Sequence, residues 1–209
     1  MKTLIAIPCL DQLDVNFVRS LTSLHRVGTT YISFMTNSLV YDARNKLAQQ
    51  AIDENADFIL WFDSDMVFSE SLMQDMFRSI EGRDFVTAVC HRRRPPFSPC
   101  IYKTIRMGIA GDNISEEYID YPTDAPFEID ACGFGAVLMR VDMLKTVLHK
   151  DNALFNPLSG YGEDISFCIR AKRAGYKLFC DPKVQVGHVA RSIVTADTFK
   201  AYRSAHEVQ

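Results

Sequence analysis

No uninterrupted apolar run in this sequence of 209 residues approaches the roughly 20 residues that a membrane-spanning helix needs. Met1 to Pro8 resembles a signal start, but the apolar stretch is too short and no small-residue cleavage site follows. It reads as a first strand instead. Cys9, Cys90, Cys100, Cys132, Cys168 and Cys180 include no C-x-x-C and no Cys/His pair at zinc spacing. Most lie among apolar residues, which points to reduced core thiols in a cytoplasmic protein. Positive charge is not in excess: the formal net charge of -3 gives no general pull toward nucleic acid or anionic membrane. Internal repeats, low-complexity tracts and linkers are also missing. What remains is an ordinary globular composition, 47% hydrophobic and 23% charged, at a length that suits one domain over residues 1–209 with a real core.

The organising stretch is Asp57-Phe58-Ile59-Leu60-Trp61-Phe62-Asp63-Ser64-Asp65. Its apolar part is too short for a buried helix and reads as a central strand covered on both faces. Strand alternation sends Asp63 and Asp65 the same way from its end. Two like charges held together require a cation or a set of donors between them. Ligands of open α/β sheets bind beyond the carboxyl ends of the strands. Two readings therefore stand: a metal and phosphate site at Asp63/Asp65, or an Asp-rich turn before a helix capped by Ser69.

Strand and helix alternate through the first 90 residues. Lys2 to Ile7 is a strand. Asp14 caps a helix carrying Val15, Phe17, Val18, Leu21 and Leu24 on one face, stopped by Gly28. Tyr31 to Met35 is the second strand. Asn37 or Ser38 caps a helix to about Asn55 with Leu39, Val40, Ala43, Leu47, Ala51 and Ile52 inward. Asp84 to Cys90 is a further strand. This rhythm predicts a parallel sheet with helices on its faces. It breaks at residues 91–126, an excursion with a hairpin from weak strands at 100–105 and 116–121. Phe127 to Arg140 is a strand interrupted by Gly133-Phe134-Gly135. Helices follow over 141–149 and 163–174, strands over 177–180 and 184–187, and a last helix over 195–205. The segment 150–161 reads as a mobile loop that orders over bound ligand.

Four constellations carry chemistry-bearing residues, each with an ordinary structural alternative. Asp63-Ser64-Asp65 is the first. Glu163-Asp164 opens a helix after Gly160-Tyr161-Gly162, where the positive helix end stabilises anions; acids also simply favour first turns. His188 after a strand is either a ligand or a satisfied structural histidine. Arg44, within Ala43-Arg44-Asn45, is either a snorkelling cation or a diphosphate contact. The basic triplet Arg92-Arg93-Arg94 forms a loop that meets phosphate, or a solvated face.

In this order the motifs resemble the GT-A fold glycosyltransferases, and most of all the inverting enzymes of glycosyltransferase family two. The matching residues are ARN at 43–45, FDSDM at 62–66, CGFGAVLMR at 132–140, GEDISFCIR at 162–170 and GH at 187–188. The resemblance implies an α/β, Rossmann-like sandwich with a central, mostly parallel sheet flanked by helices. It implies a nucleotide-binding half over residues 1–90 and an acceptor-binding half over 91–209.

By the same resemblance, the activity is metal-dependent transfer of a sugar, hexosyltransferase-like, from a nucleotide diphosphate donor, most often a UDP-sugar, to an acceptor hydroxyl. Asp65 would ligate the metal, with Asp63 on the ribose or a metal-bound water and His188 as a further ligand. Oxygen ligands with one imidazole suit Mn²⁺ or Mg²⁺. Pro8, Cys9 and Leu10 would cradle the base, although that loop lacks the family's acidic residue and Asp11 is only close. Arg44 would contact the nucleotide, and Ser64 would line the donor site. Gly133 and Gly135 would let backbone approach the sugar, with Phe134 as its wall or as a core aromatic. Asp164 would be the general base and Glu163 would orient the acceptor, a pattern that favours inversion. The acceptor is open among a saccharide, a protein and a modified nucleic-acid base, and the oligomeric state is open as well.

Two rival readings exist. Asp63-Ser64-Asp65-Met66-Val67 also fits the phosphatases of the haloacid dehalogenase type, with Asp63 as nucleophile. Here, however, the motif follows the third strand, and Gly162-Glu163-Asp164 lacks the later acid. The other is a nucleotide-sugar-binding module without catalysis, although both the metal and base positions are filled.

Overall fold

The structure, a computed structural model, describes residues 1–108, 112–190 and 196 of the chain. The first stretch runs β1 (Lys2–Pro8), α1 (Val15–Ser23), β2 (Thr29–Met35), α2 (Val40–Asp53), β3 (Phe58–Phe62), β4 (Met66–Val67), α3 (Leu72–Ser79) and β5 (Phe85–Val89). An antiparallel excursion follows: β6 (Ile101–Arg106), β7 (Ile114–Glu117), β8 (Phe127–Ile129) and β9 (Ala131–Cys132). Then come β10 (Ala136–Arg140), α4 (Val141–Asp151), α5 (Glu163–Arg173), β11 (Leu178–Gln185) and β12 (Gly187–His188).

The main sheet has the order β2-β1-β3-β10-β5-β11-β8. β1 is parallel to β2 and β3, and β11 is parallel to β5. β10 runs antiparallel between β3 and β5, and β8 closes the edge antiparallel to β11. The parallel rhythm expected from the first 90 residues therefore holds for the strands it was read from. The strand that returns from the excursion fills the gap in the opposite direction.

β3 is buried along its whole length and its side chains alternate between two cores. Ile59 and Trp61 pack with Leu47 and Ala51 of α2, Leu144 of α4 and Phe167 of α5. Phe58, Leu60 and Phe62 pack with Phe17 and Leu21 of α1 and with Met73 and Met76 of α3. Each such side chain contributes about 1.5–3 kcal/mol by leaving water, so this strand is the firmest platform in the chain.

Several local expectations are corrected. Asp14 does cap α1, accepting from the Asn16 N–H at 2.8 Å. The N-cap residue of α2, however, is Leu39, with no side-chain bond from Asn37 or Ser38, and Leu39 and Val40 are exposed. Asn37 instead takes a left-handed φ of 56° and turns the chain. The inward face of α2 is Ala43, Arg44, Leu47, Ala48 and Ala51. On α1, Phe17, Leu21 and Leu24 are buried while Val15 and Val18 face solvent. Ser71, not Ser69, precedes α3, and its hydroxyl donates to Asp75 at 2.8 Å. α4 runs on to Asp151, and the two strands expected after α5 are one bulged strand, β11, followed by β12.

The segment 150–161, expected to be mobile, is heavily tethered. The Asn45 side chain accepts from the Phe155 N–H at 3.0 Å. The Ser166 hydroxyl accepts from the Leu158 N–H at 2.8 Å. Arg170 donates to the carbonyls of Leu154 and Asn156 at 3.1 and 2.6 Å. The expected helix over 195–205 lies outside the described residues, Ala196 apart. Among the described residues no helix is long and apolar enough to cross a membrane, and all six cysteines are free.

Candidate active site

The site forms where β3 ends. The Asp63 N–H reaches the Gly135 carbonyl at 3.3 Å, and a turn through Ser64 and Asp65 leads into β4. β4 pairs antiparallel with β12, His188 opposite Met66, and the Val189 N–H donates to the Asp65 carbonyl at 2.9 Å. That short ladder carries His188, 123 residues away in sequence, to Asp65: Nε2 lies 3.2 Å from Oδ2. The other ring nitrogen, Nδ1, is 3.0 Å from the His91 carbonyl. A carbonyl only accepts, so Nδ1 carries a proton and Nε2 is the variable position. The bond to Asp65 raises the His188 pKa, against burial. Burial alone would push Asp65 up; the bond and charge of His188 and the charge of Arg93 outweigh it and hold the carboxyl below its ordinary value.

Asp63 and Asp65 emerge from one strand end but take different partners. Arg44 of α2, 2% exposed, donates from Nη2 to Asp63 Oδ1 at 2.7 Å and from Nε to Glu163 Oε1 at 3.3 Å. Its guanidinium lies over the Phe134 and Trp61 rings, 5.1 and 5.6 Å from their centroids. One buried cation thus ties the end of β3 to the start of α5. Nη1 is buried without a partner. Burial lowers the pKa of Arg44, but Asp63, Glu163 and Asp164 overcome that and raise it. Burial raises the pKa of Asp63 in spite of Arg44.

Asp164 sits in the first turn of α5, with Oδ1 accepting from the Ile165 N–H at 2.7 Å. Burial, then the neighbouring charge of Glu163, push its pKa up to about 6, although the helix amide and Arg44 pull the other way. A helix N-terminus ordinarily lowers a carboxyl pKa; here desolvation wins.

A cavity of about 330 Å³ opens over these groups. Of the residues expected from sequence, Pro8, Cys9, Arg44, Asp63, Ser64, Asp65, Glu163 and His188 line it. Asp164, Gly133, Phe134 and Gly135 do not. Glu163, expected to orient an acceptor, faces Arg44 and this cavity instead. Phe134 is a core aromatic, 1% exposed, packed on Trp61, Phe155 and Phe167 and supporting Arg44 from below. A Cβ at Gly135 would lie 2.9 Å from Met66 Sδ and 3.1 Å from Cys90 Sγ, so that glycine lets β10 close on β4. A Cβ at Gly133 would stand 3.7 Å from Asp164 Oδ2.

Sequence reasoning did not single out Ser38, Val40 and Ala43, which also line the cavity, nor Arg93 within its triplet. The signal for Arg93 was the triplet itself; only folding separates its members. Arg92 is spent on Glu117, at 2.6 Å, and on the Tyr102 hydroxyl, at 3.0 Å. Arg93 reaches Asp65, Nη1 to Oδ2 at 2.9 Å.

Among the described residues no group of three or more His, Cys, Asp or Glu gathers as a ready metal shell. Asp63 Oδ1 is committed to Arg44. The residues that fit a divalent cation are Asp65 and His188, converging from two elements, with Nδ1 of the histidine anchored as metal-binding imidazoles commonly are. Four carboxylates (Asp63, Asp65, Glu163 and Asp164) stand with only Arg44 and Arg93 among the guanidiniums, so the site has room for added positive charge. Two protein ligands suit a cation whose other positions are filled by water and phosphate oxygens.

The sequence matches no protein-family model and no curated protein. Solved structures do match. GalNAc-T7, crystallised with UDP, GalNAc and Mn²⁺, superimposes with a TM-score of 0.64 at 12% identity, covering 99% of this chain. Residues 1–349 of S. aureus TarS, in complex with UDP-GlcNAc, give 0.58 at 15% identity over 98% of this chain. A197 from STIV gives 0.57 at 14% identity over 93%. This is the GT-A glycosyltransferase fold. The chain spans 48% of the GalNAc-T7 chain, 65% of the TarS chain and 97% of the A197 chain. In GT-A terms, the cavity lies beyond the carboxyl ends of β1 and β3, where open α/β sheets take their ligands.

Proposed function

We propose that this chain is a glycosyltransferase that moves a sugar from a nucleotide diphosphate donor, a UDP-sugar, to an acceptor hydroxyl with inversion. The observation that carries the reading is the pairing of a basic carboxylate, Asp164, with a strand-end acid site, joined through buried Arg44. The GT-A fold supports it, as do the UDP and Mn²⁺ in the GalNAc-T7 structure and the UDP-GlcNAc in the TarS structure.

The donor occupies the cavity of about 330 Å³, its nucleotide against Pro8, Cys9 and Ser64. Asp65 and His188 would hold Mn²⁺ or Mg²⁺. When bound, such a cation neutralises the diphosphate and stabilises it as leaving group. Arg44 sets the spacing between Asp63 and Glu163 and so keeps the donor side in register with α5. Asp164 takes the proton of the acceptor hydroxyl as its oxygen attacks the anomeric carbon. Oδ1 is held by the Ile165 amide, so Oδ2, beside Gly133, is the oxygen that accepts the proton. With a pKa of about 6 the carboxylate is ionised at neutral pH yet basic enough to share a proton in the transition state. Glu163 supplies negative charge that sustains this basicity.

The phosphatase alternative needs Asp63 as a free nucleophile. Its Oδ1 is bound to a buried guanidinium at 2.7 Å, which speaks against that chemistry. The test is thermal stability against nucleoside diphosphates and nucleotide sugars, each with and without Mn²⁺. Ligands that bind only the folded state raise its stability by mass action. A shift for UDP or a UDP-sugar that requires Mn²⁺ is expected. A shift with metal alone and none with any nucleotide overturns the proposal.

A further inference from the structure

Segment 91–99, between β5 and β6, is a closed loop. The Arg92 N–H donates to the Ser98 carbonyl and the Phe97 N–H to the Arg94 carbonyl, both at 2.9 Å, and His91 bridges Pro99. Arg92 anchors it to Glu117 and Tyr102. Arg93 is thereby presented over the site with its side chain 56% exposed, and its one polar partner among the described residues is Asp65 Oδ2. That same oxygen faces His188 Nε2. The guanidinium therefore contacts the oxygen that a cation held by Asp65 and His188 would use. Two positive groups cannot share that position.

The contact also divides space. Arg93, Asp65, Ser64 and Leu10 border both the cavity of about 330 Å³ and a neighbouring one of about 430 Å³ that reaches Arg94 and Asp14. A guanidinium leaving Asp65 has open volume on either side. The strongest new partner for it is a phosphate, whose geometry matches the planar fork. An ion pair this exposed adds little to stability, so it is readily exchanged.

Resting on the donor reading above, we propose that Arg93 is an internal counter-ion for Asp65 that an entering divalent cation displaces, and that then grips the donor's diphosphate. Cation and diphosphate binding are consequently coupled through one side chain: the cation frees Arg93, and the diphosphate rewards the displacement. Coupling of this kind is reciprocal, so each ligand tightens the other by the same factor.

The experiment measures Mn²⁺ binding to the full chain by electron paramagnetic resonance. Mn²⁺ is titrated alone and then with inorganic pyrophosphate, for wild type, Arg93→Ala, Arg93→Lys and the remote surface variant Lys177→Ala. Arg93→Ala should bind Mn²⁺ alone about 3–10-fold more tightly, because the competing charge is gone. It should bind pyrophosphate at saturating Mn²⁺ about 10-fold more weakly, because the fork is lost. Arg93→Lys should fall between, and Lys177→Ala should match wild type. The opposite signs separate this exchange from a simple structural ion pair. Unchanged or weaker Mn²⁺ binding by Arg93→Ala, or unchanged pyrophosphate binding, overturns the exchange and leaves the donor site standing. Wild type that binds no pyrophosphate with Mn²⁺ overturns both.

Discussion

The acids at the end of β3 and those at the start of α5 are the same residue types put to opposite electrostatic use. Asp65 meets His188 at 3.2 Å and Arg93 at 2.9 Å, and these cations hold it ionised below the ordinary range. Asp164 is buried beside Glu163, with its nearest amide as partial compensation, and rises to about 6. An acid surrounded by exchangeable cations is suited to bind a cation. An acid deprived of water is suited to take a proton. Arg44 stands between the two regions and is what lets them differ, since it pairs with Asp63 on one side and Glu163 on the other.

The largest way to break this comparison is Asp164→Asn. Transfer should fall by roughly 10²–10⁴-fold, the usual worth of a general base, with donor binding retained. Steady-state turnover beside nucleotide binding checks it, and wild-type turnover would remove Asp164 from that role. Asp65→Ala should have the complementary phenotype: Mn²⁺-dependent nucleotide binding weakened by about 10²-fold or more, with the fold kept. Retained Mn²⁺-dependent binding in a calorimetric titration would rule out Asp65 as the ligand.

Arg44→Ala attacks the divider. It strands Asp63 and Glu163 in a half-buried site, and losing one member of a buried ion pair costs about 3–5 kcal/mol. Chemical denaturation should show that loss, and a change under 1 kcal/mol would mean that water already screens the pair.

The comparison sharpens with pH. A carboxyl whose folded pKa is raised contributes stability below its ordinary value of 3.8 and loses it as pH rises through about 6. Asp164→Asn should therefore gain on the order of 2 kcal/mol over wild type at pH 7 but little at pH 4. Wild-type transfer should rise through about pH 6 as the base ionises. Coincident stability curves for the two proteins would place Asp164 in water rather than in the protein. The smallest effect is expected from His188→Ala, which should weaken Mn²⁺ binding about 10-fold, since one ligand remains. An unchanged titration would leave His188 a purely structural link between β12 and Asp65.

Much of this architecture was legible in the chain. Phe58 to Phe62 could be only a doubly covered strand, and the alternation before it could be only an α/β sheet. Glycine and acid positions in order, from Arg44 through Asp63 and Asp65 to Glu163-Asp164 and His188, resembled GT-A enzymes, and the fold is GT-A. Local rules faltered where two elements compete. Asn37 and Ser38 were good caps on paper, but the chain needed a left-handed turn at Asn37. Phe134 offered two faces, and its place among Trp61, Phe155 and Phe167 depends on three distant elements. The segment 150–161 looked mobile because its tethers, Asn45, Ser166 and Arg170, lie elsewhere in the sequence.

By itself the sequence determined the central strand, the class of sheet and the identity of the acids, because hydrophobic periodicity and residue chemistry are local properties. Tertiary structure alone decided the partners. The antiparallel course of β10, the delivery of His188 by the β4–β12 ladder and the double engagement of Arg44 all join residues far apart in the chain. So does the selection of Arg93 from three adjacent arginines. A carboxylate's pKa depends on the charges and water within a few ångströms of it, and only the folded chain sets which those are.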